Sequence, residues 1–127
     1  MKTILVFEDK SGSMKILGKA VILHSLHKTI AMFTEFYPEF SDCKFEFKDW
    51  NGSYEEISKF LIRTTDSFVI ITDGFAKNGS LKDLAKINSK GSVIFVGSDS
   101  LFQKEISENI KTFKSLDVVE AVSYACK

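Results

Sequence analysis

The sequence has no excess of charge of either sign, no long apolar run and no closely spaced cysteines. Its 17 basic and 17 acidic residues balance, so it has no global attraction to nucleic acid or to an anionic membrane. No segment reaches the ~18 apolar residues that a membrane span needs. Near the N-terminus only four consecutive residues, Ile4 to Phe7, are apolar or aromatic, which is too few for a signal peptide. We therefore expect a cytoplasmic protein whose partner is neither a nucleic acid nor a membrane.

Cysteine and proline are both scarce. Cys43 and Cys126 lie far apart in the sequence, which favours free thiols in a reducing compartment. Pro38 is the single proline, and the chain contains no repeat or low-complexity linker. Its 127 residues include twelve phenylalanines, enough large apolar side chains for one core without disulfides. We therefore expect a single domain over residues 1–127.

The apolar pattern predicts strands and helices in alternation. Short apolar runs predict buried strands, and alternating or weaker runs predict two more strands; the predicted strands are residues 4–7, 44–50, 68–72, 92–96 and 111–114. Three- and four-residue spacing, with capping and turn residues at the ends, predicts helices over residues 14–36, 54–62, 81–87, 101–109 and 117–125. This alternation predicts an α/β fold, a three-layer Rossmann-like sandwich with a mostly parallel sheet of about five strands and helices on both faces.

Polar residues follow three of the predicted buried strands. Asp9 follows the first, Asp73 follows the strand over residues 68–72, and Ser98 and Asp99 follow the strand over residues 92–96. The carboxyl ends of parallel strands meet at one edge of the sheet, where ligands of such folds bind. We therefore expect these side chains to share one edge.

The segment Asp9-Lys10-Ser11-Gly12-Ser13 places one carboxylate and two hydroxyls in a short loop. With Asp73 as a second carboxylate, these oxygens are suited to a hard cation, Mg²⁺ or Mn²⁺. The absence of thiolate and imidazole ligands argues against zinc. The alternative is that the serines cap the following helix while Asp9 binds loop amides. The two roles can coexist.

Two motifs and one weaker segment resemble a known family. Asp9-Lys10-Ser11-Gly12-Ser13-Met14 resembles the Asp-x-Ser-x-Ser signature of von Willebrand factor A (vWA) domains, including the Gly and Met of its microbial members. The segment from Ile70 to Gly74 resembles the family's Thr-Asp-Gly strand end, and that from Phe95 to Asp99 resembles a later strand. The order of these segments and the long first helix also fit, so the resemblance covers most of the chain.

The resemblance implies a metal-ion-dependent adhesion site. Asp9, Ser11, Ser13 and Asp73 would hold Mg²⁺, with Mn²⁺ as a substitute. The family adds a threonine from a loop before a middle helix. Here Asn51-Gly52-Ser53 takes that place, so Ser53 is the implied fifth ligand, with Asn51 as a second candidate.

The implied function is protein–protein interaction without catalysis. A partner's Asp or Glu would fill an open position on the cation, and the surrounding loops would supply the remaining contact area. Trp50, Tyr54 and Phe75 flank the implied ligands and are candidate partner contacts. Stand-alone microbial members of the family often act beside an ATPase or a product of the same operon, so a partner of that kind is implied.

Three features depart from the vWA pattern. There is room for one strand between the first helix and Asn51, where the family usually has two. Phe75 replaces the acid that usually follows Thr-Asp-Gly. The chain is also shorter than most vWA domains.

The alternative resemblance is to a two-component receiver domain. Glu8 and Asp9 would then resemble the acidic Mg²⁺ pair, Asp73 the phosphorylated aspartate, Ser98 the hydroxyl after a later strand and Lys114 the family's lysine. Against this, the first helical region is too long, no proline follows Lys114, and the Ser-Gly-Ser segment has no role there. His24 and His27 lie three residues apart without a third ligand, so we expect structural or surface roles for them.

Overall fold

The computed structural model describes residues 2–62, 66–75, 79, 81–104 and 106–127. The strands are β1 (Lys2–Asp9), β2 (Cys43–Trp50), β3 (Ser67–Thr72), β4 (Gly91–Phe95) and β5 (Ile110–Lys114). The α-helices are α1 (Lys19–Ala31), α2 (Phe33–Phe36), α3 (Tyr54–Ile62) and α4 (Val118–Cys126). Short 3₁₀ helices span Gly12–Lys15, Pro38–Phe40, Leu81–Lys86 and Ser115–Asp117. The predicted α/β fold is confirmed.

All strand pairings are parallel, and the strand order is β2-β1-β3-β4-β5. From β1 the chain crosses to one side to form β2 and then returns to the other side to form β3. The point at which the strand order reverses therefore lies between β1 and β3, where ligands bind in doubly wound folds. Asp9, the last residue of β1, pairs with Trp50 of β2, and its neighbour Glu8 pairs with Ile71 of β3.

Each face of the sheet is covered by its own apolar core. On one face, alternate strand residues such as Val6 and Val69 pack against α1 and α4. On the other face, the intervening residues such as Phe7 and Ile70 pack against α3 and the 3₁₀ helix over Leu81–Lys86. Alternation along each strand sends successive side chains to opposite faces, so runs that are apolar throughout are buried on both sides.

The prediction of a single long helix over residues 14–36 is wrong. The structure divides it into a 3₁₀ turn over Gly12–Lys15, helix α1 and the short helix α2. The break before α1 comes from Leu17 and Gly18, whose φ angles of 54° and 74° lie in the left-handed region. Gly18 adopts that conformation without steric cost, and α1 begins directly after it.

The predicted helix over residues 101–109 is also wrong, because the described residues 101–104 and 106–109 contain no helix. Hydrogen bonds to other parts of the chain explain part of this. The backbone N–H of Leu101 donates to the Asp73 carbonyl at 2.8 Å, and the Thr112 hydroxyl donates to the Lys104 carbonyl at 2.9 Å. These bonds fix the segment along the edge of the sheet. Among the described helices, none is long and apolar enough to cross a membrane.

Candidate functional site

Asp9 is at the centre of the candidate site, at the point where β1 ends. Its side chain is wholly buried. One carboxylate oxygen, Oδ1, accepts the Ser11 backbone N–H at 2.9 Å, and the other, Oδ2, accepts the Thr72 hydroxyl at 2.6 Å. Within the part of the chain that the structure describes, no cationic side chain forms an ion pair with Asp9. A buried carboxylate held only by neutral donors strongly attracts a cation.

The hydroxyls of Ser11 and Ser13 lie together on the solvent side of Asp9. Their Oγ atoms are 3.3 Å apart, and both residues are partly exposed. Neither serine caps α1, which begins at Lys19 after Gly18, and the Ser11 side chain does not cap its own 3₁₀ turn. Neither hydroxyl therefore has the helix-capping role that the sequence offered as the alternative.

Asp73 is neutralised by an internal lysine. The Lys19 ammonium contacts Asp73 Oδ2 at 3.0 Å and Asp99 Oδ1 at 2.7 Å, and it donates to the Ser13 carbonyl at 3.2 Å. The side chains of Lys19 and Asp73 are 0% exposed. Burial by itself would lower the pKa of Lys19, but hydrogen bonds and charge interactions with Asp99 and Asp73 outweigh it and raise that pKa above its ordinary value.

The Lys19 side chain packs closely against Gly97 on one side and lies under a partly exposed Phe75 ring on the other. Gly97 has a φ of +94°, and a Cβ there would lie 2.8 Å from Lys19 Cε, so a larger residue would push against the lysine stem. On the outer side the ammonium lies 5.3 Å from the centre of the Phe75 ring, and Phe75 is 38% exposed. The Lys19–Asp73 pair is thus buried but close to the surface.

The Asn51-Gly52-Ser53 loop reaches the site through its glycine. A Cβ at Gly52 would lie 3.3 Å from Ser11 Cβ and 3.6 Å from Asp9 Oδ1. Ser53 is buried, and its hydroxyl accepts the Glu56 backbone N–H at 3.4 Å, as a helix cap does. Asn51 Oδ1 accepts the Ser53 backbone N–H at 3.1 Å. The predicted ligand Ser53 thus lies on a loop that touches the site, and its hydroxyl caps α3.

The three predicted partner contacts separate into buried and exposed residues. Trp50 is 5% exposed and Tyr54 is 0% exposed, and their rings pack edge to face with centres 5.0 Å apart. For these two residues the prediction of partner contact is corrected, because the core of the α3 face encloses them. Phe75 remains accessible beside Lys19.

The histidines of α1 lie beside the site, where a cavity of about 490 Å³ opens between α1 and the ends of β1 and β2. His27 lies 2.9 Å from the buried carboxylate of Glu8 through Nδ1, and its ring packs on Phe47 with centres 4.0 Å apart. His24 is exposed.

Across the described residues, no group of three or more histidine, cysteine or acidic side chains is arranged to hold a metal. The Asp9 site has one carboxylate and two serine hydroxyls, so it does not meet that definition of a metal-binding group.

Among the described residues, the Asp73 side chain contacts Lys19 and the Phe75 backbone N–H, and neither Ser98 nor Lys114 of the receiver-like alternative takes their place. Ser98 is exposed. The Lys114 ammonium lies 5.5 Å from the centre of the Phe102 ring. The cation beside Asp73 is Lys19, from a different element of the fold.

Sequence reasoning placed Asp9, Ser11, Ser13 and Asp73 at one edge of the sheet, and the structure brings them together there. It missed Lys19 and the hydroxyl of Thr72. The signal for Thr72 was present, because that residue precedes Asp73 at the end of a strand parallel to β1. Lys19 carried no such signal, since a lysine at the start of a helix is ordinarily solvated. No protein-family model and no curated protein matches this sequence.

Proposed function

We propose that this protein is a metal-dependent protein-binding module that holds Mg²⁺ beside Asp9 and captures an acidic side chain of a partner protein. The observation that carries the proposal is the Asp9 carboxylate, buried without a cationic partner among the described residues and adjacent to the Ser11 and Ser13 hydroxyls, which contact each other at 3.3 Å. Carboxylate and hydroxyl oxygens are the donors that Mg²⁺ accepts, and Mg²⁺ keeps several waters in such sites.

The charge balance supports a cation rather than an anion. Asp9, Asp73 and Asp99 supply three carboxylates, and Lys19 is the single ammonium in contact with any of them among the described residues. Negative charge therefore remains in excess after the internal lysine is counted. An anionic ligand would be repelled, and a divalent cation would relieve the repulsion.

The proposed ligands divide by accessibility. Ser11 and Ser13 are partly exposed, so their hydroxyls can bind a cation that enters from solvent, with Asp9 behind them. Asp73 already binds Lys19 and the Phe75 backbone N–H, so it would act through its charge and through bound water. Ser53 would approach through the loop that touches Ser11. A partner carboxylate would complete the coordination from the solvent side, near Phe75, with no chemical reaction required.

The strand order is compatible with this function and with its alternative. The strand order of this sheet, 2-1-3-4-5, is found in flavodoxin-like folds, which include receiver domains. The classic Rossmann order is 3-2-1-4-5-6, and it becomes the same order when its outermost strand, strand 3, is left out and the rest are renumbered. The choice therefore rests on the site. A phosphoacceptor Asp73 would need an accessible oxygen, whereas its carboxylate is fully buried against Lys19.

Metal binding is tested by titrating Mg²⁺ into the protein and following backbone amides by NMR. We expect saturable shifts near Ser11 and Gly52, loss of the response in Asp9→Asn, and at least about tenfold weaker binding in Ser11→Ala, equivalent to about 1.4 kcal/mol. Ser98→Ala is the matched control, because it removes an exposed hydroxyl from the same edge of the sheet. An Asp9→Asn variant that binds Mg²⁺ like the wild type would refute the proposal.

The open coordination position is tested with Mn²⁺. Water bound to protein-held Mn²⁺ exchanges with solvent and enhances water proton relaxation. We expect this enhancement to fall when acetate, the smallest mimic of an Asp or Glu side chain, is added. Beryllofluoride with Mg²⁺ should produce no amide shifts near Asp73 beyond those of Mg²⁺ alone. A specific beryllofluoride response there would instead support the receiver-like function.

A further inference from the structure

Strand β2 forms one edge of the sheet, and among the described residues its outer side pairs with no other strand. The Lys2 backbone N–H donates to the Asp42 carbonyl at 2.9 Å, and the Lys10 N–H donates to the Trp50 carbonyl at 2.7 Å. Even-numbered positions of β2 therefore direct their backbone groups toward β1, and odd-numbered positions direct theirs outward. Such an outward row of N–H and C=O groups is a template for another strand.

The two faces of β2 differ in chemistry. On the face toward α1, Cys43, Phe45 and Phe47 are apolar, and a groove of about 490 Å³ opens beside them. Both phenylalanines are only half-buried. On the opposite face Lys44 and Glu46 lie 3.5 Å apart, with side chains 61% and 41% exposed. A strand that pairs with this edge therefore needs one apolar face and one charged face.

The charges of β2 are complementary to those of a second copy that runs in the antiparallel direction. Lysine and acid alternate at the even-numbered positions, which are Asp42, Lys44, Glu46 and Lys48. With Phe45 at the symmetry axis, Lys44 lies opposite Glu46 of the second copy, and Asp42 lies opposite Lys48. Symmetry repeats each pair, so every charge on this face meets one of opposite sign.

The same register also matches the apolar face and the backbone. Phe45 lies opposite Phe45 of the second copy, and Cys43 lies opposite Phe47. All of these residues have outward backbone groups, so each opposed pair can exchange both of its N–H···O=C bonds. Aromatic and apolar cross-strand pairs stabilise an antiparallel ladder.

Neighbouring registers lose this match. Centring the pairing on Glu46 sets two glutamates opposite each other and Lys44 opposite Lys48. Centring it on Phe47 sets a phenylalanine opposite Asp49. The other edge strand, β5, is shorter and has lysine as its only type of charged residue, which protects an edge from pairing. The page of charges on β2 thus selects one edge and one register.

We propose that this chain forms a symmetric dimer through antiparallel pairing of β2 with β2 of a second copy, centred on Phe45. The inference does not depend on the proposed function. Pairing joins the two sheets into one continuous sheet, and their carboxyl edges point in opposite directions. The two Asp9 sites therefore lie at opposite ends of the joined sheet.

The dimer is tested by sedimentation equilibrium at protein concentrations of about 10–300 µM, in EDTA and again in Mg²⁺. We expect the wild type to approach twice the monomer mass as its concentration rises, in both buffers. Lys44→Glu and Glu46→Lys should each weaken dimerisation at least about tenfold, because each sets like charges opposite one another at two symmetric positions. The double variant restores opposite charges and should return to within about threefold of the wild type. Lys111→Glu, at an exposed position of β5, is the matched control and should leave the dimer unchanged.

Each result supports or overturns the inference. A wild type that stays monomeric over the whole range overturns it, and the charges of β2 then serve to protect a free edge. A dimer that survives both single reversals also overturns it, because another surface would hold the copies together. A folded double variant that does not recover, with its fold checked by circular dichroism, rules out the register centred on Phe45. A dimer in EDTA stands whether or not the protein binds Mg²⁺, so failure of the proposed function is a separate result.

Discussion

Replacing Lys19 with methionine tests whether the internal ammonium holds the carboxyl edge of the sheet together. Methionine keeps most of the aliphatic stem, which packs against Gly97, and removes the charge. Asp73 and Asp99 would then lose the cation that they share at 3.0 and 2.7 Å. Two carboxylates would remain close together, one of them fully buried, without a counter-charge.

The expected cost can be estimated from the surroundings of the pair. Removing one partner of a buried ion pair costs about 3–5 kcal/mol. The lower end applies here, because the Asp99 side chain is 33% exposed and the cover formed by Phe75 is thin. A loss of about 3 kcal/mol is large against the 5–15 kcal/mol by which domains are ordinarily stable. With a urea m-value of about 2 kcal/mol/M, it lowers the unfolding midpoint by about 1.5 M.

The assay is urea unfolding followed by circular dichroism in EDTA at pH 7. Lys59→Met is the matched control, because Lys59 forms an exposed pair with Glu55 at 3.1 Å on α3. Such surface pairs contribute about 0.5 kcal/mol or less, so the control midpoint should barely move. A Lys19→Met midpoint within about 0.3 M of the wild type, a change of about 0.6 kcal/mol at that m-value, would refute the reasoning.

The same pair predicts a dependence on pH. The pKa of Lys19 is raised in the folded state, so its contribution to the free energy of unfolding is complete below the unfolded pKa of 10.5. It is lost as pH rises through the folded pKa. The difference in free energy of unfolding between the wild type and Lys19→Met should therefore stay constant from pH 7 to 9 and become smaller at more alkaline pH. A difference that narrows below pH 9 would point to another titrating group.

Two further predictions concern packing at the site and the cysteines. Gly97→Ala should lower the free energy of unfolding by about 1–3 kcal/mol, because it combines a φ of +94° with a contact of 2.8 Å to Lys19 Cε. Gly12→Ala, whose new methyl would meet nothing within 4 Å, should have little effect in the same urea assay. Burial and the neighbouring Cys43 thiol raise the pKa of Cys126 to about 12, so iodoacetamide should label the native protein at pH 8 at least about tenfold more slowly than the urea-unfolded protein. Equal labelling rates, measured by mass spectrometry, would contradict this.

Much of the fold followed from local pattern. The strand over residues 68–72 was predicted from a run of apolar residues, and the structure buries every residue of β3. Helix α3 begins and ends where the turn at Asn51-Gly52-Ser53 and the apolar spacing placed it. The break at Leu17 and Gly18 was missed, because the apolar spacing continues across it. The segment over residues 101–109 was predicted as a helix because local pattern does not show that Leu101 donates to Asp73.

The sequence alone determined that Asp9 and Asp73 lie at the same carboxyl edge of the sheet. Asp9 ends one parallel strand and Asp73 follows another, and the geometry of parallel strands puts both at one end. Only the tertiary structure decided how their charges are balanced. Lys19 reaches Asp73 and Asp99 across 54 and 80 residues of chain, and no local pattern encodes contacts over such separations.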